Sequence, residues 1–343
     1  MTTDMGTGGD TTRWGSDLTI VTVSSFEYLP GVYALFNSAL LNGFEGRVEL
    51  YVHPGVDPGL VVHHPRLSVA ELPRLFEGTY SLYAQRLAAL ASLKEGRYLY
   101  LDSDVIVERP CGHLLEPIAA GVLVSPEPES KYSAYDAIVY EQCKVTGVKP
   151  NELGDFPYVN AGLLGFELPR DRDLIQEFFD LSRDHLAGTT RVFENPIFPF
   201  LDQDILNLLL RKRCHEGKAV FSISPKVLEF SNFSQVFRNR PFPYTRQGDL
   251  QPADQIKYII HGASLRRPWL KPDRRDSLRK RLVHALEPLG IRIFLGRPLP
   301  YERAWAYYAC ADGLPIPVSA WADRHGFGLH RSWLWRKAYG LPG

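Results

Sequence analysis

The chain has 343 residues, 45% of them hydrophobic and 23% charged, with 39 Lys and Arg balanced by 39 Asp and Glu. This composition is globular and not disordered, and a formal charge of zero argues against a nucleic-acid binder. No run of about 18 apolar residues occurs, so no spanning helix is expected, and Cys111, Cys143, Cys214 and Cys310 fit neither a zinc pattern nor a disulfide frame.

Residues 1–16 are rich in Gly, Thr and Asp and carry neither a basic n-region nor an apolar h-region. They are expected to form a disordered tail on a cytoplasmic protein. Structure begins with LTIVTVSS (18–25), a short β-branched run that reads as a buried strand. GVYALFNSALLNG then reads as a helix with Val32, Leu35, Phe36, Ala39 and Leu40 on one face. RVELYVH (47–53) is a second strand. SLYAQRLAALASLKEG (81–96) is a helix with Tyr83, Leu87, Leu90 and Leu93 inward and Gly96 as its stop.

YLYL (98–101) is a strand, and Val105-Ile106-Val107 continues it extended. AGVLVS (120–125) and VNAGLLGFEL (159–168) are further strands. Helices follow near 171–187 and at DQDILNLLLRK (202–212), and IKYIIH (256–261) is a late buried strand. Strands alternating with helices predict an α/β fold around a mostly parallel central sheet flanked by helices.

The sharpest chemical signal is Asp102-Ser103-Asp104, bracketed by apolar strand sequence. On an extended chain these two carboxylates point the same way. Buried without compensation they cost several kcal/mol each, on the order of the penalty for any buried ion, and a divalent cation is the simplest compensation. The alternative is a strand-end turn with two solvated Asp residues. Asp202-Gln203-Asp204 opens a helix, where acidic residues are stabilised by free backbone N–H groups, and taken alone needs no further role. His261 ends a strand just before Arg266-Arg267-Pro268-Trp269; singly these read as a structural histidine and a solvated corner, but the combination would suit a diphosphate: imidazole for a metal, guanidinium for a phosphate. Asn160-Ala161-Gly162 is either a place of close backbone approach to a ligand or simply a bulge.

Taken in order, the first strand with its polar end, YLYLDSDVIV, YVNAGLLGF, DQDILN and IIHGASLRRPW resemble glycosyltransferase family 8, the GT-A family of glycogenin and the bacterial lipooligosaccharide galactosyltransferases. The resemblance spans roughly residues 17–270 and implies a GT-A domain with a C-terminal extension over 271–343. It implies that Asp102, Asp104 and His261 bind Mn²⁺ or Mg²⁺. Arg267, standing where the family has Lys, would touch the phosphates of a UDP-sugar, with Arg86 and Ser103 also on the nucleotide sugar. Ser24, Ser25 and Tyr28 resemble the segment that holds uracil and ribose. Asn160 and Ala161 resemble the lining of the donor sugar, and Asp202 and Gln203 the reaction centre. The implied reaction is metal-dependent, retaining transfer of a hexose to the hydroxyl of a saccharide, lipid-linked or small-molecule acceptor. Ser264 replaces a family Gly, and Ser25 stands where Asn is common.

The stretch 265–281 carries eight basic and two acidic residues, and the end LHRSWLWRKAYGLPG adds Trp333, Trp335 and Tyr339. Such a segment suits an anionic membrane surface, or equally a packed tail with a solvated basic face. Two competing functions are a catalytically silent nucleotide-sugar or glycan binder and a phosphatase using the first Asp as nucleophile. The latter usually places that Asp near the chain start and follows it closely with Thr or Gly, whereas here Val105 and Ile106 follow.

Overall fold

The computed structural model describes residues 13–73, 82–127, 132–191, 193–224, 228–230, 257–262, 300–311 and 313–325. The first strand, β1 (Leu18–Ser24), leads through a short turn into α1 (Leu29–Leu41). Then come β2 (Arg47–Val52), β3 (Leu67–Glu71), α2 (Leu82–Ser92), β4 (Gly96–Leu101) and β5 (Val105–Val107). A short α3 (Gly112–Leu115) precedes β6 (Val122–Pro126), α4 (Tyr132–Thr146), β7 (Val159–Leu168) and α5 (Arg172–His185). The remainder is α6 (Asp202–His215), β8 (Val220–Ser222), β9 (Leu228–Phe230), β10 (Ile259–His261), α7 (Pro300–Cys310) and α8 (Val318–Arg324).

Seven strands form one sheet in the order β3-β2-β1-β4-β7-β6-β8. It is mostly parallel, as expected, with β7 running antiparallel to both neighbours. Its central strands β1, β4 and β7 are buried on both faces. Along β4, Leu99 and Leu101 join the core under α1, while Tyr98 and Tyr100 join the core under α2, α5 and α6. That double burial is why the strand reads as a continuous apolar run. Gly96 opens β4 instead of closing the preceding helix, which already ends at Ser92.

Helix α1 is buried on every side from Leu29 to Ala39, because α7 and α8 cover the face it turns away from the sheet. Trp305, Trp321 and Tyr301 are fully buried in that layer, and each large apolar side chain so placed contributes about 1.5–3 kcal/mol. Trp14, within the tail expected from composition, is buried against Phe44. Three further strands, β5, β10 and β9, form a separate small sheet. The chain therefore changes sheets between β4 and β5, where a single extended run was expected. Among the described residues the cysteines form no disulfide, and no helix is long and apolar enough to cross a membrane.

Strand order places the site. From β1 the chain goes outward to β2 and β3, then returns to β4 on the other side of β1. The carboxyl ends of β1 and β4 thus flank a topological switch point, where open α/β sheets leave a crevice.

Candidate functional site

Apolar β4 stops at Leu101, and the next four residues close a turn in which Val105 N–H donates to Asp102 O at 3.1 Å. The two Asp residues therefore converge across a turn and not by strand alternation. The turn is solvated on one side only: Asp104 is 2% exposed, while the Asp102 side chain is 24% exposed. Antiparallel pairing of β5 with β10 sets Val105 opposite His261, and Gly262 N–H donates to Asp104 O at 2.9 Å. This register brings His261 over the turn. Its Nε2 lies 3.3 Å from Asp104 Oδ1 and 3.7 Å from Asp102 Oδ2.

A bulge completes the cradle. Val124 on β6 faces Leu164, but Ser125 faces Asn160, so residues 161–163 of β7 have no partner on β6. Bulges re-aim a strand locally and recur beside active sites. Here Gly162 O accepts from Asp102 N–H at 2.9 Å, and Gly162 N–H donates to Asn160 Oδ1 at 2.8 Å. A Cβ at Gly162 would sit 2.4 Å from His261 Cε1 and 2.7 Å from Asp102 Oδ2, so only glycine fits. Asn160-Ala161-Gly162 is thus both a bulge and a close approach.

One ligand atom each from Asp102, Asp104 and His261 lie within 4.8 Å of one another. Two carboxylate oxygens and an imidazole nitrogen make a hard-to-borderline donor set. The two carboxylates face inward at close range, where a cation offsets their repulsion. The residues fit a divalent cation.

Arg86 on α2 organises the acidic groups. Its Nη1 donates to Asp102 Oδ1 at 2.9 Å, its Nε donates to Asp202 Oδ2 at 2.7 Å, and Nη2 lies 2.5 Å from that oxygen. Tyr100 Oη donates to the same Asp102 Oδ1 at 2.6 Å. Asp102 is therefore divided: Oδ1 is held by Tyr100 and Arg86, and Oδ2 faces His261. Burial works against the Arg86 charge, but Asp202, Tyr100 and Asp102 outweigh it and hold the guanidinium protonated. Burial pushes the Asp202 carboxyl up to about 6; the Arg86 charge pulls it down and the Asp102 charge adds to the rise. Burial, then the Asp102 charge, raises the Tyr100 phenol well above its ordinary value.

Asp202 and Gln203 open α6, which Asn207 clamps to β7 by donating to Val159 O and accepting from Val159 N–H. Ala161 N–H donates to Gln203 Oε1 at 3.4 Å. Ser24 ends β1, with Ser25 and half-buried Tyr28 just beyond it. The register Val21 opposite Tyr100 puts this segment at the same sheet end as Asp102 and Ser103. Arg267, Ser264 and the basic and aromatic stretches at 265–281 and 329–343 lie outside the described residues.

Two contributors were missed in the sequence. Tyr100 reads only as a strand residue. Glu127 follows the strand expected over 120–125 and has no individual role in that reading, yet it is buried and accepts from Asn160 Nδ2 at 2.7 Å.

No family model matches the chain, and no curated protein matches it in sequence. Among solved structures the chain has partial matches. The bifunctional glycosyltransferase WbbM shares 17% identity over 75% of this chain, with a TM-score of 0.47. This chain spans about half of it, 47%. The galactosyltransferase LgtC, in complex with donor and acceptor sugar analogues, shares 16% identity over 74% of this chain and 90% of its own, with a TM-score of 0.45. The glycosyltransferase GlyE of Streptococcus pneumoniae shares 15% identity over 92% of this chain and 65% of its own, with a TM-score of 0.48. These structural neighbours are all glycosyltransferases.

Proposed function

We propose that this chain is a glycosyltransferase that moves a hexose from a UDP-sugar to an acceptor hydroxyl with retention of configuration. The observation that carries the reading is the meeting of Asp102, Asp104 and His261 around Gly162 at the carboxyl ends of β1 and β4. Those three residues hold Mn²⁺ or Mg²⁺. When bound, the cation supplies positive charge opposite the departing diphosphate.

The remaining work belongs to the chain. Ser24, Ser25 and Tyr28 take the nucleoside at the end of β1. Arg86 orients Asp102 and Asp202 and adds a fixed positive charge where negative charge grows on the leaving group. Asp202, beside it, accepts from sugar hydroxyls. Asn160 and Ala161 line the donor sugar, with Gln203 at its reacting carbon. An amide is a weak nucleophile, so Gln203 stabilises a front-face substitution through an oxocarbenium-like state, and the departing phosphate takes the acceptor proton.

The test is slow UDP release from a panel of UDP-sugars with Mn²⁺ and no acceptor, repeated with a mixture of saccharide and lipid-linked acceptors. Release from one sugar, abolished by EDTA and by Asp104→Ala, is expected. Phosphate release from an aryl phosphate, or nucleotide binding without turnover under every condition, would replace this reading with a phosphatase or a silent binder.

A further inference from the structure

Glu127 lies two residues past Ser125, the β6 partner of Asn160, and is 5% exposed. Its Oε2 accepts from Asn160 Nδ2 at 2.7 Å and from Gln203 Nε2 at 3.4 Å. The other end of each amide meets a backbone donor. Gly162 N–H donates to Asn160 Oδ1 at 2.8 Å, and Ala161 N–H donates to Gln203 Oε1 at 3.4 Å.

The two ends of an amide are nearly identical in shape, and only hydrogen-bond partners decide which faces where. A carboxylate oxygen can only accept, so it selects the NH₂ end. A backbone N–H can only donate, so it selects the carbonyl end. Asn160 and Gln203 are each constrained from both ends, and one oxygen atom imposes half of both constraints. Neither amide can flip without setting a donor against a donor or an oxygen against an oxygen, at the cost of a buried, unmade hydrogen bond.

We propose that Glu127 is the positioning residue of the reaction centre, fixing through a single carboxylate oxygen the orientation of the Asn160 and Gln203 amides. The assignment rests on the glycosyltransferase reading for what those amides do to a donor sugar, and on the hydrogen bonds alone for how they are held. Glu127 acts through its neighbours: it sets the side of Gln203 that meets the sugar directly, while the Asp102 turn is linked to it through Asn160 and Gly162.

Two readouts test this. In ¹⁵N spectra of the side-chain NH₂ groups, the Asn160 and Gln203 pairs are assigned by Asn160→Asp and Gln203→Glu. Both pairs are expected to move in Glu127→Gln, which keeps shape but replaces a carboxylate by a neutral acceptor, and further in Glu127→Ala. Unmoved pairs with a native backbone spectrum would overturn the assignment. In turnover, kcat is expected to fall roughly 10- to 100-fold in Glu127→Ala, the loss of hydrogen bonds to a charged group, with partial recovery in Glu127→Gln and unchanged UDP affinity. An equal loss of UDP affinity would make Glu127 a general structural residue and sink the proposal. Should the unaltered protein release no UDP from any sugar, the glycosyltransferase reading fails, and the NH₂ spectra still decide the role of Glu127.

Discussion

Arg86 and Asp202 form an ion pair at 2.5 Å with side chains 5% and 2% exposed, and the same guanidinium holds Asp102 at 2.9 Å. One cation from α2 thus ties the turn after β4 to the start of α6. Removing it leaves a buried carboxylate without its partner, a change that costs about 3–5 kcal/mol. Arg86→Met is expected to lose that much in urea unfolding. Adding Asp202→Asn should recover at least ~1 kcal/mol, since the stranded charge is then gone. A loss under 1 kcal/mol in the single variant, or no recovery in the double, would show that the pair does not hold the two segments together.

Gly162 sets how closely Asp102 and His261, two of the proposed cation ligands, can approach. A methyl group there would lie inside the contact distance of both His261 and Asp102. Gly162→Ala must push the imidazole and the carboxylate apart. Disturbing the support of metal ligands typically costs 10- to 100-fold in affinity, so Mn²⁺ binding, measured by calorimetry, is expected to weaken by about that factor. The accompanying overpacking costs about 1–3 kcal/mol in stability. Mn²⁺ affinity unchanged in a folded Gly162→Ala protein would remove the cation from this cradle.

In the proposed reaction, Gln203 is the residue at which chemistry and nucleotide recognition should separate. Its side chain faces Ala161 and Glu127, not the end of β1. Gln203→Ala is expected to lower kcat roughly 100-fold, the scale for losing one preorganised polar group at a reacting centre. The affinity for UDP with Mn²⁺ should stay within about twofold, a change worth less than half a kcal/mol. A large loss of UDP binding would place Gln203 on the nucleotide instead.

Much of this architecture was legible because burial writes itself into composition. β7 matches the expected run Val159–Leu168 at both ends, since a strand covered on both faces is apolar throughout. The start of α6 at Asp202 was equally plain from its acidic first turn. Geometry that depends on pairing was not legible. Val105-Ile106-Val107 carries no mark of which sheet it joins, so the turn at Asp102 read as extended chain. The edge strand β3 alternates only weakly and went unseen. Glu127 is buried by residues far away in sequence, and a Glu between two prolines looks like solvated turn.

The same limit applies to Asn37, a polar residue on the buried helix α1. Its Nδ2 donates to Tyr308 O at 2.9 Å and to Ile316 O at 3.0 Å, while Ile316 N–H donates to its Oδ1 at 2.8 Å. One side chain therefore satisfies backbone groups at the end of α7 and in the loop before α8. Each buried group left unmade costs about 1–3 kcal/mol, so Asn37→Ala is expected to lower unfolding stability by about 3 kcal/mol in total. Asn37→Asp should do at least as much damage at neutral pH. A carboxylate keeps the bond from Ile316 N–H but turns an acceptor toward the carbonyls of Tyr308 and Ile316. Urea unfolding of both variants decides the matter. If Asp is tolerated better than Ala, the two carbonyls do not depend on Asn37, and α7 and α8 are held to α1 by Trp305, Trp321 and their apolar neighbours together with the hydrogen bonds of Asn42 to Tyr308 and of Trp305 to Pro30.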